Sequence, residues 1–170
     1  LKLNWIYRLV LFANKASNEY PLVEASESVL LRSDDGGYKW RTVNKEKNVH
    51  PRPFYFNTID VNPVNENILY RTHTTFDVSE DGGKSFSLLT PYQNIHPDFH
   101  ALWIHPNGEM MIAGNDGGLA FTYDRGKTWR FVQNLPVGQF YHISYDMEYP
   151  YNIYGGMQDN GSWRGPSTTF

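Results

Sequence analysis

Cysteine is absent from this 170-residue chain, so there is neither a disulfide framework nor a thiolate metal site, and the redox compartment stays open. Charge of one sign is equally scarce as a block. The formal net charge is −3, spread along the sequence without a basic stripe, so no nucleic-acid partner is expected. Long hydrophobic runs are missing too: the longest, Leu9 to Ala13, falls far short of the roughly 20 residues that a membrane span needs. No transmembrane segment is therefore expected. No 12-residue stretch carries a convincing helical period, and no run has the ligand spacing of an EF-hand calcium loop. Neither a cofactor nor a metal site is assigned. The chain opens on Leu1 without a charged segment, apolar stretch and cleavage site in series, which leads to the expectation of a fragment or a processed chain.

What is present is a folded, aromatic-rich composition, 40% hydrophobic and 16% aromatic, with an internal repeat. Ser33-Asp34-Asp35-Gly36-Gly37-Tyr38-Lys39-Trp40, Ser79-Glu80-Asp81-Gly82-Gly83-Lys84-Ser85-Phe86 and Thr122-Tyr123-Asp124-Arg125-Gly126-Lys127-Thr128-Trp129 share one pattern. Each reads hydroxyl, any residue, Asp, any residue, Gly, any residue, polar, aromatic. They start 46 and then 43 residues apart, a period that signals a propeller or a solenoid. Between them lie short runs of Tyr, Phe, Ile, Val and Thr, broken by Asn, Pro and Gly turns, the pattern of a β-meander.

The fold class that follows is all-β, a propeller of four-stranded antiparallel blades forming one partial domain over residues 1–170. The units fall at about 1–44, 54–90, 100–133 and 140–170, the last incomplete. The first is the least regular, with strands expected at Ile6 to Phe12, Leu22 to Ala25, Val29 to Arg32 and Lys39 to Val43. Propellers close with four to eight blades, so further blades of the same propeller are expected as partners.

Each octapeptide suits a hairpin between a third and a fourth strand. Gly37, Gly83 and Gly126 supply a residue tolerant of positive φ. Asp35, Asp81 and Asp124 can accept backbone N–H groups of their own turn, and Trp40, Phe86 and Trp129 can swing back as apolar plugs between sheets. These carboxylates are read as turn staples, not as catalysts.

Up-and-down connectivity sends the other loops to the opposite face. There it gathers four of the six histidines, at His50, His73, His96 and His100, together with the Asn115-Asp116, Val137-Gly138-Gln139 and Gln158-Asp159-Asn160 loops. Asp98, Asp116 and Asp159 are the candidate catalytic carboxylates. The candidate ligand-binding residues are Arg52, Tyr55, His73, His96, His100, Gln139, Tyr141, Asn160, Trp163 and Arg164. Each has a plainer alternative. His96-x-Asp98-x-His100 suits either a divalent metal or a hydrogen-bonded start of an inner strand. Asp116 and Asp159, each beside an Asn and ahead of a Gly, suit a recurring tight turn as well as catalysis. Arg52 and Arg164 suit a carboxylate clamp or an inter-blade tie, and Tyr55, Tyr141 and Trp163 suit sugar stacking or blade packing.

The octapeptides resemble the Asp-box, or BNR, repeats of sialidase-like and sortilin-like propellers. The likeness extends over about 130 residues from Ser33 onward, through His100-Ala101-Leu102-Trp103-Ile104, Gly114-Asn115-Asp116-Gly117-Gly118 and Gly155-Gly156-Met157-Gln158-Asp159-Asn160-Gly161. It points to the bacterial sortilin-like, BNR-repeat proteins, often labelled glycosyl hydrolases. The resemblance implies a secreted or envelope-associated protein that binds a polypeptide or a glycan. A xyloglucanase-like or sialidase-like hydrolase is the alternative. The fold by itself implies neither.

Overall fold

The computed structural model describes residues 6–11, 28–46, 49–51, 57–91, 93–135 and 137–168. Within them the chain is antiparallel β throughout, arranged as four sheets in sequence order. The first sheet holds β1 (Ile6–Leu11), β2 (Ser28–Ser33) and β3 (Arg41–Asn44), and the second holds β4 (Thr58–Val61), β5 (Leu69–Thr72), β6 (Phe76–Ser79) and β7 (Ser87–Thr90). The third comprises β8 (Phe99–Ile104), β9 (Met111–Asn115), β10 (Gly118–Thr122) and β11 (Arg130–Phe131), and the fourth β12 (Phe140–Tyr145), β13 (Asn152–Met157) and β14 (Ser162–Pro166). The middle two sheets are thus four-stranded, while the first and last show three strands among the described residues. In the first, β1 pairs directly with β2, Ile6 opposite Ser33, and the strand expected at residues 22–25 lies outside the described residues.

The octapeptides form hairpins after β2, β6 and β10, and one hydrogen-bond scheme recurs in all three. Ser33, Ser79 and Thr122 each donate from the hydroxyl to Asp35, Asp81 and Asp124 at 2.8, 2.8 and 2.7 Å, and accept the N–H of Gly37, Gly83 and Gly126 at 2.8, 2.8 and 3.0 Å. The same aspartate oxygen accepts the N–H of Lys39, Ser85 or Thr128 at 2.8 to 3.0 Å. Burial raises the Asp81 pKa, but the Ser85 hydroxyl and amide and the Ser79 hydroxyl outweigh it and hold the group at about 2. Asp124 is likewise held at about 2, by the Thr128 hydroxyl first. Such depression is expected of a carboxylate accepting several hydrogen bonds in its charged form.

These hairpins also build the seams between sheets. Gly83 (φ +92°) and Gly126 (φ +86°) lie so close to the preceding sheet that a Cβ would fall 2.4 Å from Leu30 and 2.7 Å from Leu89. Both the conformation and the space therefore demand glycine. The last residue of the preceding sheet caps each approach. The Asn44 amide donates to the carbonyls of Gly83 and Lys84 at 3.1 and 2.9 Å, and the Thr90 hydroxyl donates to Gly126 at 3.3 Å. Trp129 then packs on Phe76, ring centroids 5.5 Å apart, while its indole N–H donates to Thr90 at 2.9 Å. Phe86 lies against the cluster of Leu30, Val49 and Leu69, with the Arg71 guanidinium 4.4 Å over its ring. The larger cluster, Tyr70, Phe76, Phe99, Met111, Ala113 and Ala120, fills the seam between the second and third sheets.

Trp40 departs from the expected inter-sheet plug. It is 39% exposed, and its indole N–H turns back onto the Gly37 carbonyl at 2.9 Å, because its hairpin has no earlier sheet among the described residues to pack on. The fourth sheet departs more strongly. Every residue of β12 is exposed, and neither core cluster includes a residue of this sheet. Its hairpin is nonetheless ordered by Asp146, which accepts from the Asn152 backbone and amide at 2.9 and 2.8 Å and from the Tyr154 hydroxyl at 2.7 Å. The Asn152 N–H first, and then the Tyr154 hydroxyl, hold Asp146 well below the usual carboxylate range.

Candidate functional site

Opposite the octapeptides, the turns β9–β10 and β13–β14 and the segment leading into β12 converge on a cleft of about 520 Å³. Its walls include His100, Asn115, Asp116, Gln139, Gln158 and Asn160, with Val137 and Met157 as the larger apolar side chains. The meander brings them together. His100 is the second residue of β8, while Asn115 ends β9 and faces Phe99 across the ladder, so that Asp116 hangs from the same rim. The Asp116 N–H donates to the Asp98 carbonyl at 3.2 Å, which pins the turn. Gly117 lets the His96 ring close over it: a Cβ there would stand 2.6 Å from the His96 Cβ.

A line of side-chain contacts runs along this rim from the fourth sheet to the third. The Tyr141 hydroxyl donates to the Gln158 carbonyl oxygen, and the Gln158 amide donates to Asp159 at 2.6 Å. On the third sheet, Asp116 Oδ1 lies 2.7 Å from His100 Nε2. The Gln158 amide first, and then Asp116, lower the Asp159 pKa, with His96 adding a smaller favourable charge. Asn160 ties the two turns, donating to the carbonyls of Asp116 at 2.6 Å and Gln158 at 2.8 Å. Asp159 takes a left-handed φ of +51°, and Asp98 one of +59°. Aspartate is among the few side chains that adopt this region readily, and such residues cluster where a loop is held for a purpose.

Of the candidate residues, His100, Asp116, Gln139 and Asn160 line the cleft, and Asp159, Tyr141 and His96 adjoin it through the contacts above. Asp98 does not line it. Its backbone N–H and that of Phe99 donate to the Thr74 and His73 carbonyls at 3.1 and 2.8 Å, the hydrogen-bonded start of an inner strand. Among the described residues no group of three or more His, Asp or Glu side chains is placed to hold a metal ion.

His73 must be reassigned from the ligand-binding set, because its side chain is 9% exposed and committed internally. Its Nε2 meets Asp77 and the Thr75 hydroxyl, each at 3.0 Å, and Asp77 also accepts the Arg71 guanidinium at 2.5 Å. Burial pushes the Asp77 pKa up, but His73 and Arg71 together bring it below its ordinary value. Trp163 and Arg164 sit on β14, outside the cleft. Trp163 is 63% exposed, and Arg164 lies 3.9 Å from Glu148 and 5.8 Å over the Tyr154 ring. Arg52 and Tyr55 lie outside the described residues.

Asn115 and Gln158 were not among the candidates. Asn115 is nine-tenths buried. Its side-chain oxygen accepts the Gly117 N–H at 3.0 Å, while its amide nitrogen is buried without a hydrogen-bond partner. Such an orphaned donor costs free energy and calls for an explanation. The signal available in sequence was the repeated Asn-Asp order of the two loops, at Asn115-Asp116 and, reversed, Asp159-Asn160.

No protein-family model matches the chain, and no curated protein matches it. Solved structures do. The GH74 enzyme of Niastella koreensis superposes with a TM-score of 0.55 at 17% identity, covering 96% of this chain and 27% of that one. The GH74 xyloglucanase of Xanthomonas campestris gives 0.54 at 14%, covering 95% and 27%. YCF48 bound to a D1 peptide is a looser match, 0.44 at 13%, covering 84% and 46%. The chain thus spans about a quarter of the length of the two GH74 structures. At these identities the likeness shows the fold alone, that of part of a β-propeller.

Proposed function

We propose that this chain is the recognition part of a sortilin-like, Asp-box propeller, a binding module that takes a polypeptide or a glycan in the cleft opposite the octapeptides. The observation that carries the reading is the state of the carboxyl groups. Asp116 lies 2.7 Å from His100 Nε2 and Asp159 accepts the Gln158 amide at 2.6 Å, so each carboxyl group is committed to a neighbouring side chain. What they offer is an ordered polar wall on rigid strands, the usual make-up of a recognition surface. The shared hydrogen-bond scheme of the three hairpins supports the Asp-box assignment. The family resemblance adds a secreted or envelope-associated location.

The likeness to the GH74 enzymes favours one second reading, a glycoside hydrolase to which this segment contributes part of a site. A combined peptide and glycan array, with an activity assay on any glycan bound, separates the two. Binding without turnover, weakened by Asn160→Ala, is the expected result. Turnover abolished by Asp98→Asn or Asp159→Asn, with binding kept, would establish the hydrolase instead.

A further inference from the structure

The sequence holds two Asn-Gly dipeptides, Asn107-Gly108 between β8 and β9 and Asn160-Gly161 between β13 and β14, and the fold treats them in opposite ways. In such a pair the glycine backbone nitrogen can attack the asparagine side-chain carbonyl carbon, because the glycine has no Cβ to hinder the approach. At Asn107 the fold opposes this. The Gly108 N–H donates to the His105 carbonyl at 2.8 Å, and the Asn107 side-chain oxygen accepts the N–H groups of Glu109 and Met110 at 3.0 and 3.4 Å. Gly108 is also buried against Asn62, whose amide donates to its carbonyl at 2.8 Å. At Asn160 these restraints are gone. Both Asn160 and Gly161 are exposed, and no atom stands within 4 Å of where a Gly161 Cβ would be. Among the described residues neither the Gly161 N–H nor the Asn160 side-chain oxygen has a protein hydrogen-bond partner. The Asn160 amide nitrogen, by contrast, faces two carbonyls, that of Asp116 at 2.6 Å and that of Gln158 at 2.8 Å.

We propose that Asn160-Gly161 is a self-modifying site, at which the turn deamidates and thereby unties the two loops of the cleft rim. The Gly161 nitrogen gives its proton to solvent hydroxide and bonds to the Asn160 Cγ. The Cγ–Nδ2 bond then breaks, and the departing nitrogen takes a proton from water and leaves as ammonia. Carbonyl oxygens favour a departing group that carries positive charge, and those of Asp116 and Gln158 already face it. Solvent water opens the resulting five-membered imide at either of its carbonyls, giving aspartate or isoaspartate, with no oxidant or reductant required. The contact changes sign. An amide that donated to two carbonyl oxygens becomes a carboxylate that repels them and adds negative charge beside Asp159. Since Asn160 joins the β9–β10 turn to the β13–β14 turn, its conversion releases one from the other. The chemistry belongs to the turn and is the same whatever the cleft binds.

The test follows the unaltered protein as it ages in mildly alkaline buffer, with peptide mapping by mass spectrometry that separates aspartate from isoaspartate and heteronuclear NMR on the same samples. Asn160 is expected to convert about tenfold faster than Asn107, the rate ratio to which one net backbone hydrogen bond corresponds. As it does so, the Gly117 and Asp159 amides, which follow the two acceptor carbonyls in the chain, should shift in the direction seen in Asn160→Asp. Asn160→Gln, whose extra methylene demands a larger ring, should stay unconverted over the same period, with its melting as the folding control. Conversion at Asn107 as fast as at Asn160, or none at Asn160 over the time in which the free peptide Gly-Asn-Gly converts, would overturn the inference. Conversion that leaves the Gly117 and Asp159 amides where they were would do the same. The binding-module reading survives each of these results, since its own test is the array.

Discussion

The second and fourth sheets come from repeats of one plan, yet one is locked and the other is open. In the second sheet β5 is buried from end to end, and an octapeptide of the following sheet closes over it through Gly126, Trp129 and Thr90. In the fourth sheet β12 is exposed at every residue, with Tyr141, Ile143 and Tyr145 each more than 60% accessible. Its intrinsic order is not inferior, since β13 pairs with β12, with one irregularity between Phe140 and His142, and with β14, and Asp146 fastens the hairpin. The difference is the seam. A blade is stable as a sheet through its own ladder, but it gains a core only when a neighbouring hairpin delivers a glycine backbone and an aromatic ring to its face. Apolar surface of this kind on a sheet marks a place meant to be covered.

Mutations can sharpen that contrast. The largest effect is expected from Asp77→Ala, which leaves the buried Arg71 guanidinium without its carboxylate; the loss should be roughly 3–5 kcal/mol in denaturant unfolding. Gly83→Ala is expected to cost about 3 kcal/mol, since a left-handed φ and a collision with Leu30 act together. Asp81→Ala should cost roughly 1–2 kcal/mol through its lost turn hydrogen bonds. Its pH dependence has a definite sign. The folded Asp81 and Asp124 groups titrate near 2, below the unfolded value, so the unfolded chain binds protons first as pH falls. Their contribution is therefore complete above about pH 4 and is lost on the way down to about pH 2, which acid melts would follow. At the small end, Ile143→Thr on the open sheet should change stability by no more than about 0.5 kcal/mol. A cost of several kcal/mol there would mean that this face is packed, and the contrast between the two sheets would fail.

Much of the fold was legible in the sequence because the repeat carried it. Three octapeptides imposed three hairpins, and in the first unit β1, β2 and β3 lie within two residues of their expected places. The role of Asn44 and Thr90 went unread, although both stand four residues beyond the octapeptide aromatic, Trp40 in one case and Phe86 in the other. Their function depends on a neighbouring sheet, which local pattern does not display. His73 misled for a related reason. Loop position suggested exposure, but the ladder sets Arg71 opposite Asp77, and the His73 ring folds onto that pair. The cleft was half legible: opposite-face connectivity gathered His100, Asp116, Gln139 and Asn160. Strand-turn register alone could not show that Asn115 is buried with an unused donor, or that Asn160 ties the two turns together.

The most direct check on the division between a locking face and a recognising face compares two variants by one ligand titration at a temperature below both melting transitions. Asn160→Ala should lose most of its affinity for the ligand that the array identifies, while Asp124→Ala, less stable, should bind like the unaltered protein. Undiminished binding by Asn160→Ala, or loss of binding in folded Asp124→Ala, would contradict the assignment of recognition to the cleft.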